Sequence, residues 1–374
     1  MTCLNIRAVS SPPEWRRFLN FPRELYAQDP RWVPPLARDE EERVGFRRHP
    51  FHDANRVQPF LAERGGQVVG RIAAIHNVQH NRHHAEQRGF FGFFECRDDG
   101  PAARALLGAA ADWLGARGLT DLRGPASPSI DYQMGLLVDA FDERPTFMMP
   151  YNPGYYGSLL TDCGLAKSQD LFALACDRRH ASAVLPRLRR VTRRLAERHK
   201  VRFRRLDRGR LRADLGAFLS VVNRSLAGHW GHVPLSPTEM DHIAAGMRWL
   251  LAPELALFAE VDGQPIGVAL AIPDYNPRIK QIDGRLFPFG FMRLLAGKHR
   301  IKQLRVVAAN VLPEWKRSGL GVALTAAILA VAVEHGAENV EFSWIAESND
   351  LSHSTLATGG AQRTKTYRVY DVRL

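Results

Sequence analysis

The sequence is short of cysteine, of acid and of long apolar runs, and each shortage removes a class of protein. Its four cysteines, Cys3, Cys96, Cys163 and Cys176, form no CxxC pair and keep no ligand spacing to a histidine. A disulfide scaffold and a cysteine-based zinc site therefore give way to free thiols. No apolar stretch approaches the roughly 20 residues that span a bilayer. The opening MTCLNIRAVSSPPEWRRF has no apolar core of the kind that directs export, so the expectation is a cytoplasmic protein. Acid is outnumbered: 39 Asp and Glu face 51 Lys and Arg, for a formal net charge of +12. Much of the excess is arginine between Arg178 and Arg210. A surplus of this sign admits nucleic acid, an anionic membrane or an anionic ligand as partner.

What is present is an ordered α/β pattern in a chain of 374 residues. That is longer than the roughly 250–300 residues at which single cores stop growing, which points to two domains. In the first half, apolar runs flank Gly65-Gly66 as a hairpin. GFFGFFECRDD then reads as a strand, PAARALLGAAADWLGARG as a helix with Pro101 in its first turn, and LTDLRGP as a strand. YNPGYYGSLLTDCGL, with Tyr151, Tyr155 and Tyr156, reads as a further helix and DLFALAC as the closing strand. The basic stretch ASAVLPRLRRVTRRLAERH places Leu185, Leu188, Val191 and Leu195 on one helical face. It reads as a packed linking helix, and a face for membrane or nucleic acid is the alternative. The second half repeats the order: strand, helix, a hairpin at Asp262-Gly263, strand, an Ala-rich helix, strand, helix and strand. Asn152 precedes Gly164 much as Asn349 precedes Gly360. The reading is a tandem pair of similar α/β domains with mixed sheets, bounded as 1–177, a linker 178–200 and 201–374.

One turn carries chemistry. In NVLPEWKRSGLGVALTAAILAVAVEHG a strand leads through Lys316, Arg317, Ser318, Gly319, Leu320 and Gly321 into a helix containing Val322. The N–H groups at a helix start have no partner within the helix, and the helix dipole adds partial positive charge. Glycines let a phosphate come close and the basic pair adds full charge, so the turn suits a pyrophosphate.

The stretch VLPEWKRSGLGVAL resembles the acetyl-CoA-binding motif of the GCN5-related N-acetyltransferase (GNAT) superfamily. Lys316 stands at the Arg/Gln position, Gly319 and Gly321 match the glycines, and Asn349 and Gly360 match the bounds of the family's following helix. The resemblance implies an N-acyltransferase that uses acetyl-CoA or a longer acyl-CoA as donor, with no metal, and transfers the acyl group directly to an amine. It places the donor in the C-terminal half, where Asn310 and Val311 line the pantetheine arm of CoA. The corresponding turn of the first half, CRDDGPAARALL, is acidic at Asp98 and Asp99 and lacks the second glycine, so that half is degenerate. Leu356 stands where the family often has a tyrosine acid. Tyr367 and Tyr370 are the substitutes as acid, with His353 and Ser354 weaker, and Glu347 is the candidate base. Glu341 reads as a paired surface acid.

His229, Trp230, His232 and Glu239 are candidates for shaping an acceptor pocket. His76, His80, His83 and His84 crowd one short loop, but without regular ligand spacing they read as solvated rather than metal-binding. The stretch YNPRIKQIDGRLFPFGFMRLLAGKHRIK mixes phenylalanine with basic residues. It reads as an insertion packed on its own domain or as a surface for a long acyl chain or a membrane. The acceptor stays open among a small-molecule amine, an amino lipid and a peptide Lys or ornithine side chain. Peripheral contact with an anionic membrane is an alternative, nucleic acid is disfavoured, and a CoA-binding protein that has lost catalysis is the reading of another class.

Overall fold

The structure, a computed structural model, describes residues 3–374. The chain forms two compact units, each built on its own group of strands. The first gathers residues up to Asp170, Asn276–Phe291 and Thr366–Leu374; the second gathers Leu171–Tyr275 and Met292–Lys365.

In the first unit, Leu4–Ala8, Arg56–Arg64, Gln67–His76 and Arg88–Cys96 run antiparallel in sequence order. Arg88–Cys96 then pairs parallel with Asp121–Gly124 through the crossover helix Gly100–Gly115. The chain's last residues complete this group, with Tyr370 opposite Gly124 and Arg373 opposite Asp121. Leu106, Leu107, Ala110 and Leu114 of the crossover helix meet Phe91, Phe94 and Leu122 of the strands in one apolar cluster. The stretch Asn276–Phe291 is tied to this unit too: Asn276 Nδ2 donates to the Pro145 carbonyl at 2.7 Å, the Ala37 N–H donates to the Gly284 carbonyl at 3.0 Å, and Arg23 pairs with Asp283. Of the histidine-rich loop, His80 is not solvated. It is 2% exposed on the Val78–His84 helix, its ring edge-on to Phe90 and its Nε2 3.1 Å from Glu86. Burial lowers its pKa to about 4 and keeps it neutral.

In the second unit, Arg202–Arg205, Ala256–Val261, Gln264–Pro273 and Gln303–Val311 run antiparallel, with Asp262-Gly263 as the hairpin turn. Gln303–Val311 pairs parallel with Asn339–Ala346 through the helix Leu320–Glu334, and Asn339–Ala346 pairs antiparallel with the stretch Leu171–Asp177. The Leu320–Glu334 helix is apolar on every side and largely buried. Such a helix needs cover all round, and the helix Arg178–His199 packs along it. That helix starts on Asp177, whose carboxylate accepts the His180 N–H at 2.8 Å. It buries Leu185 and Leu188 as the periodicity expects, whereas Val191 stays 37% exposed.

One titrating group lies under the first unit's crossover. The Glu95 carboxylate accepts hydrogen bonds from the Tyr26 and Tyr156 hydroxyls, each at 2.7 Å. Arg71 and Glu40, a buried ion pair at 2.8 Å, act on it electrostatically with opposite effect. Desolvation outweighs the help from Arg71 and the two phenols and raises the Glu95 pKa to about 7. In the unfolded chain this carboxyl ionises near its ordinary 4.5. Between those values the folded state holds the extra proton, so this group's contribution to stability falls as pH rises through the window. The Glu95→Gln variant lacks that penalty. Its melting temperature relative to the parent should shift in its favour as pH rises from 4.5 to above 7, read by calorimetry at both ends. A pH-independent difference would exclude the assignment.

Candidate active site

The parallel ladder between Gln303–Val311 and Asn339–Ala346 runs only from Gln303/Asn339 to Val306/Phe342. Beyond it, Ala308 to Val311 keep partners on the hairpin side alone, opposite Leu270 to Gly267. Burial falls at the same place: Leu304 to Val306 are buried, while Val307 to Asn310 are half-buried or exposed. The strands fork there and leave backbone edges open. A buried polar cluster sits at the fork. Arg305, 4% exposed, donates from Nε to Ser343 Oγ at 2.8 Å and from Nη2 to the Ser343 carbonyl at 3.0 Å. Ser343 Oγ donates in turn to Glu341 at 2.8 Å. Glu341 is 2% exposed, not the surface acid its charge suggests. Trp344, next along the strand, has its ring beneath Arg305 and its indole Nε1 buried without a hydrogen-bond partner among the described residues.

The strand then enters the basic turn. Gly319 adopts φ +84°, the left-handed region that side chains rarely occupy, and caps the helix. A Cβ there would lie 3.1 Å from Leu195 Cδ1. Ser318 Oγ accepts the Leu320 N–H at 3.2 Å. The N–H groups of Gly321 and Val322 follow in the first turn, where helix geometry supplies no acceptor. A Cβ on Gly321 would meet nothing within 4 Å, so the space beside that residue is open. Arg317 is exposed and makes no ion pair among the described residues. Lys316 Nζ reaches His229 Nε2 at 3.0 Å. Burial, then the Lys316 charge, lowers the His229 pKa and leaves a neutral ring to accept that hydrogen bond.

The first unit contains the same layout in closed form. Asp99 caps its crossover helix with its own carboxylate, accepting the Ala102 N–H at 3.0 Å and pairing with Arg64 at 2.8 Å. An anion is already in place at that helix start. Its strand fork is filled as well: Ala126 donates to the Phe91 carbonyl at 2.8 Å, and Ser127 Oγ accepts the Phe93 N–H at 2.9 Å. Gly92 admits this segment, since a Cβ there would fall 1.7 Å from the Ala126 oxygen.

The remaining candidates scatter. Glu239 is 4% exposed and completes a capping box with Ser236, whose Oγ donates to it at 2.8 Å. That is a structural task rather than a pocket wall. His232 is buried and Trp230 half-buried on the same loop as His229. Asn349 caps the helix Asp350–Thr358, accepting the Ser352 N–H at 3.1 Å. Asn152 instead grips both backbone groups of Leu137, so the two asparagines match in position and differ in task. Leu356 is buried at 4% exposure. Glu347 is exposed just past the end of the Asn339–Ala346 strand. Tyr367 and Tyr370 belong to the first unit, where Tyr367 is fully buried and Tyr370 joins the apolar cluster around Leu106 and Tyr156. Packing is the task visible for both, and the structure gives no basis for them as acids.

Two neighbours of the turn escaped the sequence reading. Leu195 lies over Gly319, and His199 sets its ring edge-on to Trp315 at 5.7 Å. The Arg178–His199 helix is therefore a wall of the turn and not only a linker. Arg194 and Arg198 flank that contact line, exposed and without ion pairs among the described residues. The clue was Leu195 recurring on the apolar face, with Arg194 beside it and Arg198 three residues on.

Comparison with known proteins agrees with this geometry. The acetyltransferase (GNAT) family description matches residues 224–357. A bacterial ceramide synthase from Caulobacter vibrioides is 33% identical over 380 residues, covering 99% of this chain and 98% of the relative. Protein YghO of Escherichia coli is 29% identical over 375 residues, covering 99% and 95%. The solved tandem GNAT protein from the clavulanic acid biosynthesis pathway superposes with a TM-score of 0.55 at 12% identity, covering 99% of this chain and 98% of its own; this is a likeness of fold.

The two glycines of the turn should respond oppositely. Gly319→Ala forces an unfavourable φ and crowds Leu195, and should cost about 1–3 kcal/mol in stability. Gly321→Ala meets open space in a helical first turn and should leave stability unchanged or raise it by up to about 1 kcal/mol. Chemical denaturation measures both, and equal losses would refute the geometry.

Proposed function

We propose, for a chain that belongs to the acetyltransferase (GNAT) family, that it transfers a long-chain acyl group from acyl-CoA to the primary amine of a long-chain amino alcohol. The family makes it an N-acyltransferase; donor and acceptor are the proposal. The observation that carries it is relatedness along the whole chain to a protein named for making ceramide, a lipid in which a fatty acid is amide-linked to such an amine. The open strand fork and open first turn support a thioester donor in the second unit.

The residues fit such a donor. Its pyrophosphate would take the N–H groups of Gly321 and Val322 and the charge of Lys316 and Arg317, with Ser318, Gly319 and Leu320 shaping the turn. Its pantetheine arm would lie along Asn310 and Val311 at the fork, with Asn349 beyond. The thioester supplies an activated carbonyl, and the chain's own task is to hold it, keep the pyrophosphate neutralised and take a proton from the incoming ammonium. Glu347, at the exposed end of the forked strand, is assigned as the base that receives that proton. The neutral amine nitrogen bonds to the carbonyl carbon, the carbon–sulfur bond breaks as the nitrogen sheds its second proton, and the departing CoA thiolate takes up a proton through solvent, while the proton on Glu347 returns to solvent. His229 holds Lys316 in place, and Trp230 and His232 belong to the acceptor-side loop.

Mass spectrometry with acetyl- and palmitoyl-CoA against short amines, lysine peptides and a long-chain amino alcohol tests the assignment. Amide formation is expected with palmitoyl-CoA and the amino alcohol; acylation of peptides or short amines alone would overturn it. Glu347→Gln should lower kcat by about 10²–10⁴-fold with donor affinity unchanged, and Lys316→Met should weaken donor binding with little change in kcat. Unchanged kcat in Glu347→Gln would remove it as base.

A further inference from the structure

The second hairpin and the forked strand are joined by a stretch that puts its largest apolar side chains outside. Phe287 is 79% exposed, Phe289 65% and Met292 69%, the highest values among the large hydrophobics of the described residues. All fall within six residues, the last on the short helix Gly290–Leu295. Single exposed apolar side chains are ordinary on a protein surface, but a cluster this exposed marks an interaction site. The stretch is also anchored at both ends. Upstream, Ile279 and Ile282 are buried and the Asn276 amide is bonded to Pro145. Downstream, Leu294 is 2% exposed, and Lys298 Nζ donates to the carbonyls of Trp249 and Leu251 at 3.0 Å each. Each end of the stretch is therefore held by its own unit's contacts.

Charge decides what covers it. Between Gly284 and Lys302 there are five Lys or Arg (Arg285, Arg293, Lys298, Arg300 and Lys302) and neither Asp nor Glu; Arg285 contacts Asp283 at 3.6 Å and Lys302 pairs with Glu338, while Arg293 and Arg300 make no ion pair among the described residues. A second copy of this +12 chain would set like charge against like. Nucleic acid would leave the phenylalanines in water. Phenylalanine and methionine at the tip with cations around them match a lipid interface, where the rings enter the headgroup–acyl boundary and the cations meet anionic headgroups.

We infer that the segment Phe287–Met292, with the cations around it, docks this protein onto an anionic lipid bilayer. Its occupant is the bilayer surface and not the acyl chain of a bound substrate. No helix of the described residues is long and apolar enough to cross a membrane, so attachment through this segment is peripheral. The inference stands on exposure and charge, independently of which amine is acylated. For a lipid acceptor it adds that the substrate is met at the surface where it resides.

Flotation of the full chain with phosphatidylcholine vesicles, and with the same vesicles containing phosphatidylglycerol, tests this. Binding is expected only to the anionic vesicles and should weaken in high salt. The triple variant Phe287→Ser, Phe289→Ser, Met292→Ser changes only exposed side chains and should lose partitioning by about tenfold or more with an unchanged melting temperature. Arg285→Gln with Arg293→Gln should remove the preference for phosphatidylglycerol. Vesicle binding that survives the triple variant would overturn the inference. So would a triple variant that changes oligomeric state by light scattering without changing vesicle binding. Failure here is distinct from failure of the proposed reaction. Acylation of a detergent-dispersed amine without vesicle binding sinks only the docking surface, and vesicle binding without acylation of any long-chain amine sinks only the reaction.

Discussion

The parting of two parallel strands after Val306 and Phe342 is the constraint on which the second unit depends. A parallel pair can diverge only if something holds its roots together, and here the holder is Arg305, gripping both Ser343 oxygens while Ser343 reaches Glu341. A buried polar cluster of this kind is tolerable only with its hydrogen bonds made. With the root fixed, the edge from Ala308 to Val311 stays outside the parallel ladder and runs toward the turn at Gly319. The Leu320–Glu334 helix, aimed by the same crossover, brings its first N–H groups to the mouth of the fork.

Two different agents finish the two forks. In the second unit the space stays open, with Gly321 facing nothing. In the first, the chain supplies its own occupants: Asp99 at the helix start, Ala126 and Ser127 between the strands. The same layout is therefore left open once and filled once, and the difference lies in a few short contacts rather than in topology.

Much of this was legible because it was local. A basic turn with two glycines between a strand and an Ala-rich helix states its geometry in sequence order, and Asp98-Asp99 states the opposite. The hairpins at Gly65-Gly66 and Asp262-Gly263 are likewise written in adjacent residues. What was illegible depends on distance along the chain. Glu341 reads as a surface acid until Arg305 arrives from a neighbouring strand and closes over Ser343, two residues along. Glu239 reads as a ligand until its own N-cap claims it. Tyr367 and Tyr370 sit near the expected acid in sequence, yet they pack in the first unit, because the chain's last residues pair with Asp121–Gly124. The arginine-rich helix reads as a linker because its apolar face announces that Leu195 packs, but not that it packs over Gly319.

The Asp99 cap has a consequence for how the chain answers its donor. A helix start that needs a bound anion is more stable when the anion is abundant, by mass action. A helix start that carries its own carboxylate has no such dependence. The helix start of the first unit therefore gains nothing from an added anion, because the Asp99 carboxylate already accepts its Ala102 N–H. By making its anion covalent, that half keeps its helix start capped whatever the surroundings hold.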